Sequence, residues 1–205
     1  MNDMLARMGA SATENPHLDA KTALRRRLAA VWAGLDLPLR SAELVRRALD
    51  LPELVAARTI ATYVALPSEV ATATLIATLG DRGVLVLLPV VAPDGGLSWR
   101  RWRQGDPLSV GLRGTMEPTK RGEDVSLDQA EVVIVPGLAF DVTGGRLGRG
   151  GGAFDRALAG RRRPSTVVAM APDEVVLDTL PTEEHDQAVD IVVTPTRVLR
   201  PRALD

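Results

Sequence analysis

Five segments of the chain are too continuously apolar to be strands with one wet face: ARTIATYVAL (57–66), VLVLLPVV (84–91), LDQAEVVIVPGLAFD (127–141), STVVAMA (165–171) and DIVVTPTRVL (190–199). A half-exposed strand alternates apolar and polar side chains, whereas a strand buried on both faces does not. Between these segments lie stretches with helical periodicity. LDAKTALRRRLAAVWAGL (18–35) repeats Leu24, Leu28, Val31 and Leu35 on one face, with Asp19 placed as an N-cap. LRSAELVRRALDL (39–51) and GAFDRALAGRR (152–162) read as helices. SEVATATLIATLGDRG (68–83) reads as another, with Ser68 as its cap and Gly80 or Gly83 as its stop. GGLSWRRWRQGD (95–106) lacks a clean alternation and reads as a hairpin arm. Buried strands alternating with helices predict an α/β fold. The expected form is a three-layer α/β/α sandwich around a mainly parallel, Rossmann-like sheet. Residues 17–205 form one domain on this reading, preceded by a loose tail over residues 1–16.

Composition narrows the function. The chain has 205 residues, 45% of them hydrophobic and 25% charged, with a formal net charge of −1. That balance gives no bulk attraction to nucleic acid or to an anionic membrane. Cysteine is absent, which removes disulfides, thiolate nucleophiles and thiolate metal sites together. The N-terminal stretch lacks the apolar core of a signal peptide, and no window reaches the ~18 apolar residues of a membrane span. These features predict a cytoplasmic enzyme. His17 and His185 are too far apart in sequence to suggest a metal pair.

The most demanding local feature is GGRLGRGGGAFDR (144–156), which crowds glycines and arginines between an apolar strand and a helix. Glycine is costly to order, so a run of it needs a reason. A loop leaving the carboxyl end of a strand is where open α/β sheets hold ligands. A helix beginning near Gly152 would turn free N–H groups toward an anion, and Arg146 and Arg149 would add charge-assisted donors. Phosphate binding follows. The Walker pattern is absent. Gly148, Gly150 and Ala153 fit a dinucleotide fingerprint, but DVTGGRL intervenes after Phe140, where that fingerprint would follow its strand at once.

PGLAFDVTGGRLGRGGGAFDR resembles the signature of the 5-formyltetrahydrofolate cyclo-ligases, also called methenyltetrahydrofolate synthetases. KTALR, YVALPSEVAT, VLLPVV, EPT and LPTEEHDQAVDIVVTP are similar to family segments in family order, across about residues 20–197. The resemblance implies an ATP- and Mg²⁺-dependent ligase that closes 5-formyltetrahydrofolate to 5,10-methenyltetrahydrofolate, working as a monomer. It implies that Lys21 and Arg25 meet ATP phosphates. It further implies that Arg146, Leu147, Gly148, Arg149, Gly150, Gly151, Gly152, Ala153 and Phe154 hold the nucleotide, with Arg146 and Arg149 catalytic. Val64, Glu69, Arg149 and the run from Gly150 to Ala153 would contact the folate, and Asp155 and Asp186 would hold Mg²⁺. One departure stands out: Ala153–Phe154 replaces the family's usual pair of aromatics, removing one ring and the hydroxyls.

Plainer readings stand beside these. Lys21 and Arg25 fit a solvated helix face, and Glu69 fits the first turn of a helix, favoured by its dipole. Asp141 fits a turn after its strand, the Arg161–Arg163 run fits a helix end, and the SWRRW tryptophans fit packing. Two other functions also fit the glycine–arginine loop: a domain that senses a phosphorylated metabolite, and an ATP-dependent paralogue acting on another formyl amide.

Overall fold

A computed structural model describes residues 16–119, 124–161 and 165–201. The expected tail up to residue 15, Lys120, and Arg162 and Arg163 of the arginine run lie outside the described residues. In chain order the elements are α1 (Pro16–Ala33), α2 (Leu37–Leu49), α3 (Pro52–Ala56), β1 (Thr59–Ala61), α4 (Ala73–Asp81), β2 (Leu85–Val91) and β3 (Leu97–Trp102). Then come β4 (Leu108–Val110), β5 (Met116–Pro118), β6 (Asp124–Val125), β7 (Val132–Val135), β8 (Ala139–Asp141) and β9 (Arg146–Leu147). The chain ends with α5 (Ala153–Ala159), β10 (Thr166–Met170), β11 (Val176–Leu177), β12 (Ile191–Val193) and β13 (Val198–Leu199).

The main sheet has eight strands in the order β13-β12-β10-β7-β1-β2-β3-β6. From β12 to β2 every pairing is parallel, and β13, β3 and β6 add antiparallel edges. The expectation of a mainly parallel α/β sheet holds, and its cause is burial. Ile60, Val86, Val133, Ile134, Val168 and Val192 are all fully buried. The order reverses beside β1, because the chain steps to β2 on one side and to β7 on the other. α2 packs on β10 and β12, α4 on β2, and α5 against β3. A small sheet, β11-β8-β9, carries the glycine loop.

Several boundaries differ from the sequence reading. α1 begins at Pro16, so Asp19 lies in its first turn rather than at its cap; proline suits that first position. The 57–66 run yields only three strand residues, Thr59–Ala61. The segment after it is tied into a loop by Thr72, whose Oγ1 donates to Tyr63 O (2.6 Å) and accepts from Ala65 N (3.0 Å). α4 therefore starts at Ala73, and Ser68 is not its cap. Glu69 precedes the helix and instead accepts Leu66 N at 2.9 Å, closing the turn at Pro67. The 127–141 run breaks at Pro136–Gly137 into β7 and β8, which belong to different sheets. DIVVTPTRVL likewise splits at its proline into the antiparallel pair β12 and β13. α4 ends at Asp81, with Gly83 (φ +78°) rather than Gly80 making the stop.

Candidate active site

A cavity of about 370 Å³ opens beside Pro136 and Gly137, which follow the carboxyl end of β7. This is where strand order reverses, the place at which open α/β sheets form ligand crevices. α1 supplies one wall. Its buried face carries Lys21, Leu28 and Trp32, and Trp32 Nε1 donates to Leu138 O at 2.9 Å, fixing the helix to the loop before β8. Lys21 is 4% exposed. Its Nζ reaches Glu183 Oε2 at 2.7 Å and Asp186 Oδ2 at 2.5 Å, joining α1 to the 183–186 segment. Burial acts to lower the Lys21 pKa, yet the hydrogen bonds from Lys21 to Asp186 and Glu183 outweigh it and raise the value above 10.5. The Asp186 carboxyl moves the opposite way. Burial acts to raise its pKa, but the bonds from Lys21 and from Glu183 N hold it below its usual value.

One turn along α1, Arg25 Nε donates to Gly148 O at 2.9 Å. The solvated-face reading therefore fails for both cations. On the opposite wall, Arg146 is 6% exposed. It donates to Pro136 O at 3.2 Å and to Asp155 Oδ1 at 2.5 Å. Asp155 Oδ1 also accepts Gln187 N at 3.2 Å, so β9, α5 and the 183–187 segment meet at one carboxylate. The loop between is held open by backbone geometry. Gly150 (φ +101°) and Gly152 (φ +60°) take conformations that side-chain-bearing residues rarely adopt. Asp141, 2% exposed, anchors the loop from below. Its carboxylate accepts Thr143 N, Thr143 Oγ1, Gly145 N and Leu180 N at 2.7–2.9 Å. It makes the turn expected of it, and it orients the loop as well.

The structure thus gathers Lys21, Arg25, the whole run from Arg146 to Asp155, and Asp186 around one cavity. It does not bring Val64 or Glu69 to that lining. Val64 is half-buried against the core. Glu69 sits beside the loop, with Oε1 accepting Arg149 Nε at 3.0 Å, while Arg149 Nη2 donates to Ser68 Oγ at 3.0 Å. Phe154 meets Tyr63 and Trp99 edge-on, with ring centroids 6.3 and 6.2 Å away. The lone ring left by Ala153 is therefore packed, and Trp99 is core rather than a surface stacking platform. Burial, the largest influence, pushes the Tyr63 hydroxyl well above its ordinary value.

Glu183, His185 and Arg113 also line the cavity and were missed. Glu183 and His185 lie within the same EEHD stretch as Asp186, and one ligand atom of each of the three falls within 4.8 Å of the others. Arg113 had a fainter signal, an arginine between two turn glycines, Gly111 and Gly114. The carboxylates fit a hard cation, which binds through one or two carboxylates, phosphate oxygens and water. Asp155 Oδ2 accepts no hydrogen bond among the described residues, and Asp155 and Asp186 face the same cavity.

Comparison with known proteins agrees with this geometry. Residues 15–195 match the 5-formyltetrahydrofolate cyclo-ligase family. The chain is 37% identical over 150 residues to the 5-formyltetrahydrofolate cyclo-ligase of Mycolicibacterium smegmatis, covering 70% of this chain and 76% of that protein. It is 35% identical over 156 residues to the Escherichia coli K12 enzyme of the same name, covering 74% and 86%. The NMR structure of 5,10-methenyltetrahydrofolate synthetase from Aquifex aeolicus superposes with a TM-score of 0.79 at 30% identity, over 90% of this chain and 96% of that one. With the family match spanning residues 15–195, relatives above 30% identity and a superposition over 90% of its length, the chain belongs to the 5-formyltetrahydrofolate cyclo-ligase family, a family of ligases.

Proposed function

We propose that the protein converts 5-formyltetrahydrofolate to 5,10-methenyltetrahydrofolate with ATP and Mg²⁺, releasing ADP and phosphate, and that it acts as a monomer. The observation that carries this reading is the cavity itself. One chain's glycine backbone is bracketed there by Lys21, Arg25 and Arg146, with Asp155 and Asp186 on the same lining.

The chemistry asks for positioning more than for a nucleophile. A formamide carbonyl is a poor electrophile, and its oxygen leaves poorly. Transfer of the terminal phosphoryl of ATP to the formyl oxygen, with ADP departing, answers both problems. Nitrogen 10 then bonds to the formyl carbon, and phosphate leaves as nitrogen 10 loses its proton. Such transfer is driven by alignment and by fixed charge at the phosphates.

In this arrangement Lys21, Arg25 and the amides from Gly148 to Phe154 cradle the phosphates. Arg146 holds Asp155 in place and adds its own charge, while Arg149 carries the loop toward Glu69 and the folate. Val64 would contact the folate beside Glu69. A bound Mg²⁺, held by Asp155 and Asp186, would neutralise charge shared across the phosphates. Phe154, braced by Tyr63 and Trp99, is the ring available to the pterin.

The test is to mix pure protein, ATP, Mg²⁺ and 5-formyltetrahydrofolate and follow the near-ultraviolet band of the methenyl product. ATP-dependent growth of that band supports the reading. ADP release only with a different formyl amide would point to a paralogue with a changed substrate, and tight phosphate binding without turnover would point to a sensor.

A further inference from the structure

Most of the cavity's cations already have a partner, Arg25 through its bond to Gly148 O. Lys21, Arg146 and Arg149 are each paired with a carboxylate. Arg113 is different: among the described residues it has neither a hydrogen bond nor an ion pair, yet it lines the cavity. Its guanidinium lies against bare backbone, since a Cβ built on Gly151 would stand only 2.8 Å from Arg113 Nη1. Arg25 flanks the same loop at the preceding residue, with its Cζ 3.6 Å from where a Gly150 Cβ would be. Arg156 closes a third side, its Nη1 2.9 Å from a Cβ on Gly152 while Nη2 donates to Gly95 O at 2.8 Å. Glycine at 151 therefore leaves room for a cation to sit on the loop.

The element carrying Arg113 is held in place rather than loose. β4 and β5 form a hairpin whose turn is closed by Gly111 N to Thr115 O at 2.7 Å and Gly114 N to Gly111 O at 3.1 Å. Beneath the turn, the buried Glu117 carboxylate accepts Thr115 Oγ1 at 2.7 Å and Val91 N at 3.2 Å, fastening the hairpin to the end of β2. Glu117 also occupies the space at Gly111, where a Cβ would meet its carboxylate at 2.1 Å. Fixing the hairpin fixes the backbone position from which Arg113 reaches the loop.

We propose that Arg113 clamps the terminal, transferable phosphate of the bound nucleotide from above the glycine loop, opposite Arg25. This rests on the nucleotide reading of the cavity given above. The terminal phosphate is favoured over the inner ones because Arg113 shares the cavity with Phe154, beside which the accepting ring would lie. The paired cations Lys21 and Arg146 line that cavity with their carboxylates, whereas a planar fork with no partner among the described residues suits a dianionic phosphate.

The experiment compares the wild type with Arg113→Gln and Arg113→Lys by calorimetric titration with Mg²⁺-ATP and, separately, Mg²⁺-ADP, and by steady-state kinetics. Arg113 is exposed, so both variants should fold, and an unchanged Tm confirms it. Arg113→Gln should weaken ATP binding about 10-fold and leave ADP binding within about twofold, the loss of one charge-assisted contact. Arg113→Lys should recover part of the ATP affinity, and the KM for 5-formyltetrahydrofolate should stay at the wild-type value. Equal losses for ATP and ADP would overturn the proposal, as would unchanged ATP affinity. A change confined to the folate KM would also overturn it and move Arg113 to a folate carboxylate. If the wild type binds ATP but forms no methenyl product, the proposed function fails while the ATP–ADP contrast still decides Arg113. If the wild type binds neither nucleotide, both fail.

Discussion

Lys21 is the residue on which burial and charge are most tightly balanced. Its ammonium is enclosed by two carboxylates, with side-chain exposures of 5% for Lys21, 19% for Glu183 and 14% for Asp186. Lys21→Met leaves those carboxylates facing each other without a cation, which should cost about 3 kcal/mol. Urea unfolding checks the value. The pH dependence follows from the direction of each shift. The Asp186 pKa is lowered on folding, so its contribution is present above 3.8 and lost as pH falls through the lower folded value. The Lys21 pKa is raised, so its contribution is present below 10.5 and lost as pH rises through the higher folded value. The difference between wild type and Lys21→Met should therefore be flat across neutral pH and shrink at both extremes. A second residue-level outcome concerns Asp155, which orients Arg146 and faces the cavity. Asp155→Asn should lower kcat/KM about 10- to 100-fold and raise the Mg²⁺ concentration needed for half-maximal rate. A normal Mg²⁺ titration at normal rate would remove Asp155 from the metal site.

Among the elements, the β8–β9 hairpin and its glycine extension depend on one carboxylate. Asp141 satisfies three backbone N–H groups and one hydroxyl in a buried position. Asp141→Ala leaves those donors unpaired, for a cost of about 3 kcal/mol in Tm-derived or urea-derived stability. The same variant should weaken ATP binding, because the loop that it anchors forms the cavity wall. A smaller effect is expected at α1. Trp32→Phe keeps the apolar packing but loses the bond to Leu138 O, which should cost about 1 kcal/mol.

At the level of the whole molecule, one continuous core joins the α1 side to the β3 edge. It includes Trp32 (9% exposed) at one end and Trp99 (4% exposed) at the other. Unfolding should consequently be a single transition. Fluorescence from variants that keep Trp32 or Trp99 as the reporter should give the same midpoint as far-ultraviolet circular dichroism. Separate midpoints would show two independently stable parts. No helix among the described residues is long and apolar enough to cross a membrane.

The sequence by itself determined the sheet and the loop. Apolar runs without a wet face can be satisfied only by cover on both sides, and β1, β2, β7, β10 and β12 follow from that rule. The glycine–arginine stretch was legible for the same local reason: its entropy cost called for a backbone that approaches a ligand. Tertiary structure decided where the runs break, because Pro136 and Thr72 act through partners such as Tyr63 O that no periodicity shows. It decided as well that Lys21 meets Asp186 across 165 residues, and that Glu69 turns toward Arg149. Arg113 belongs to this second group. A hairpin looks alike in sequence wherever it points, and only the buried Glu117 beneath the turn fixes which loop its arginine covers.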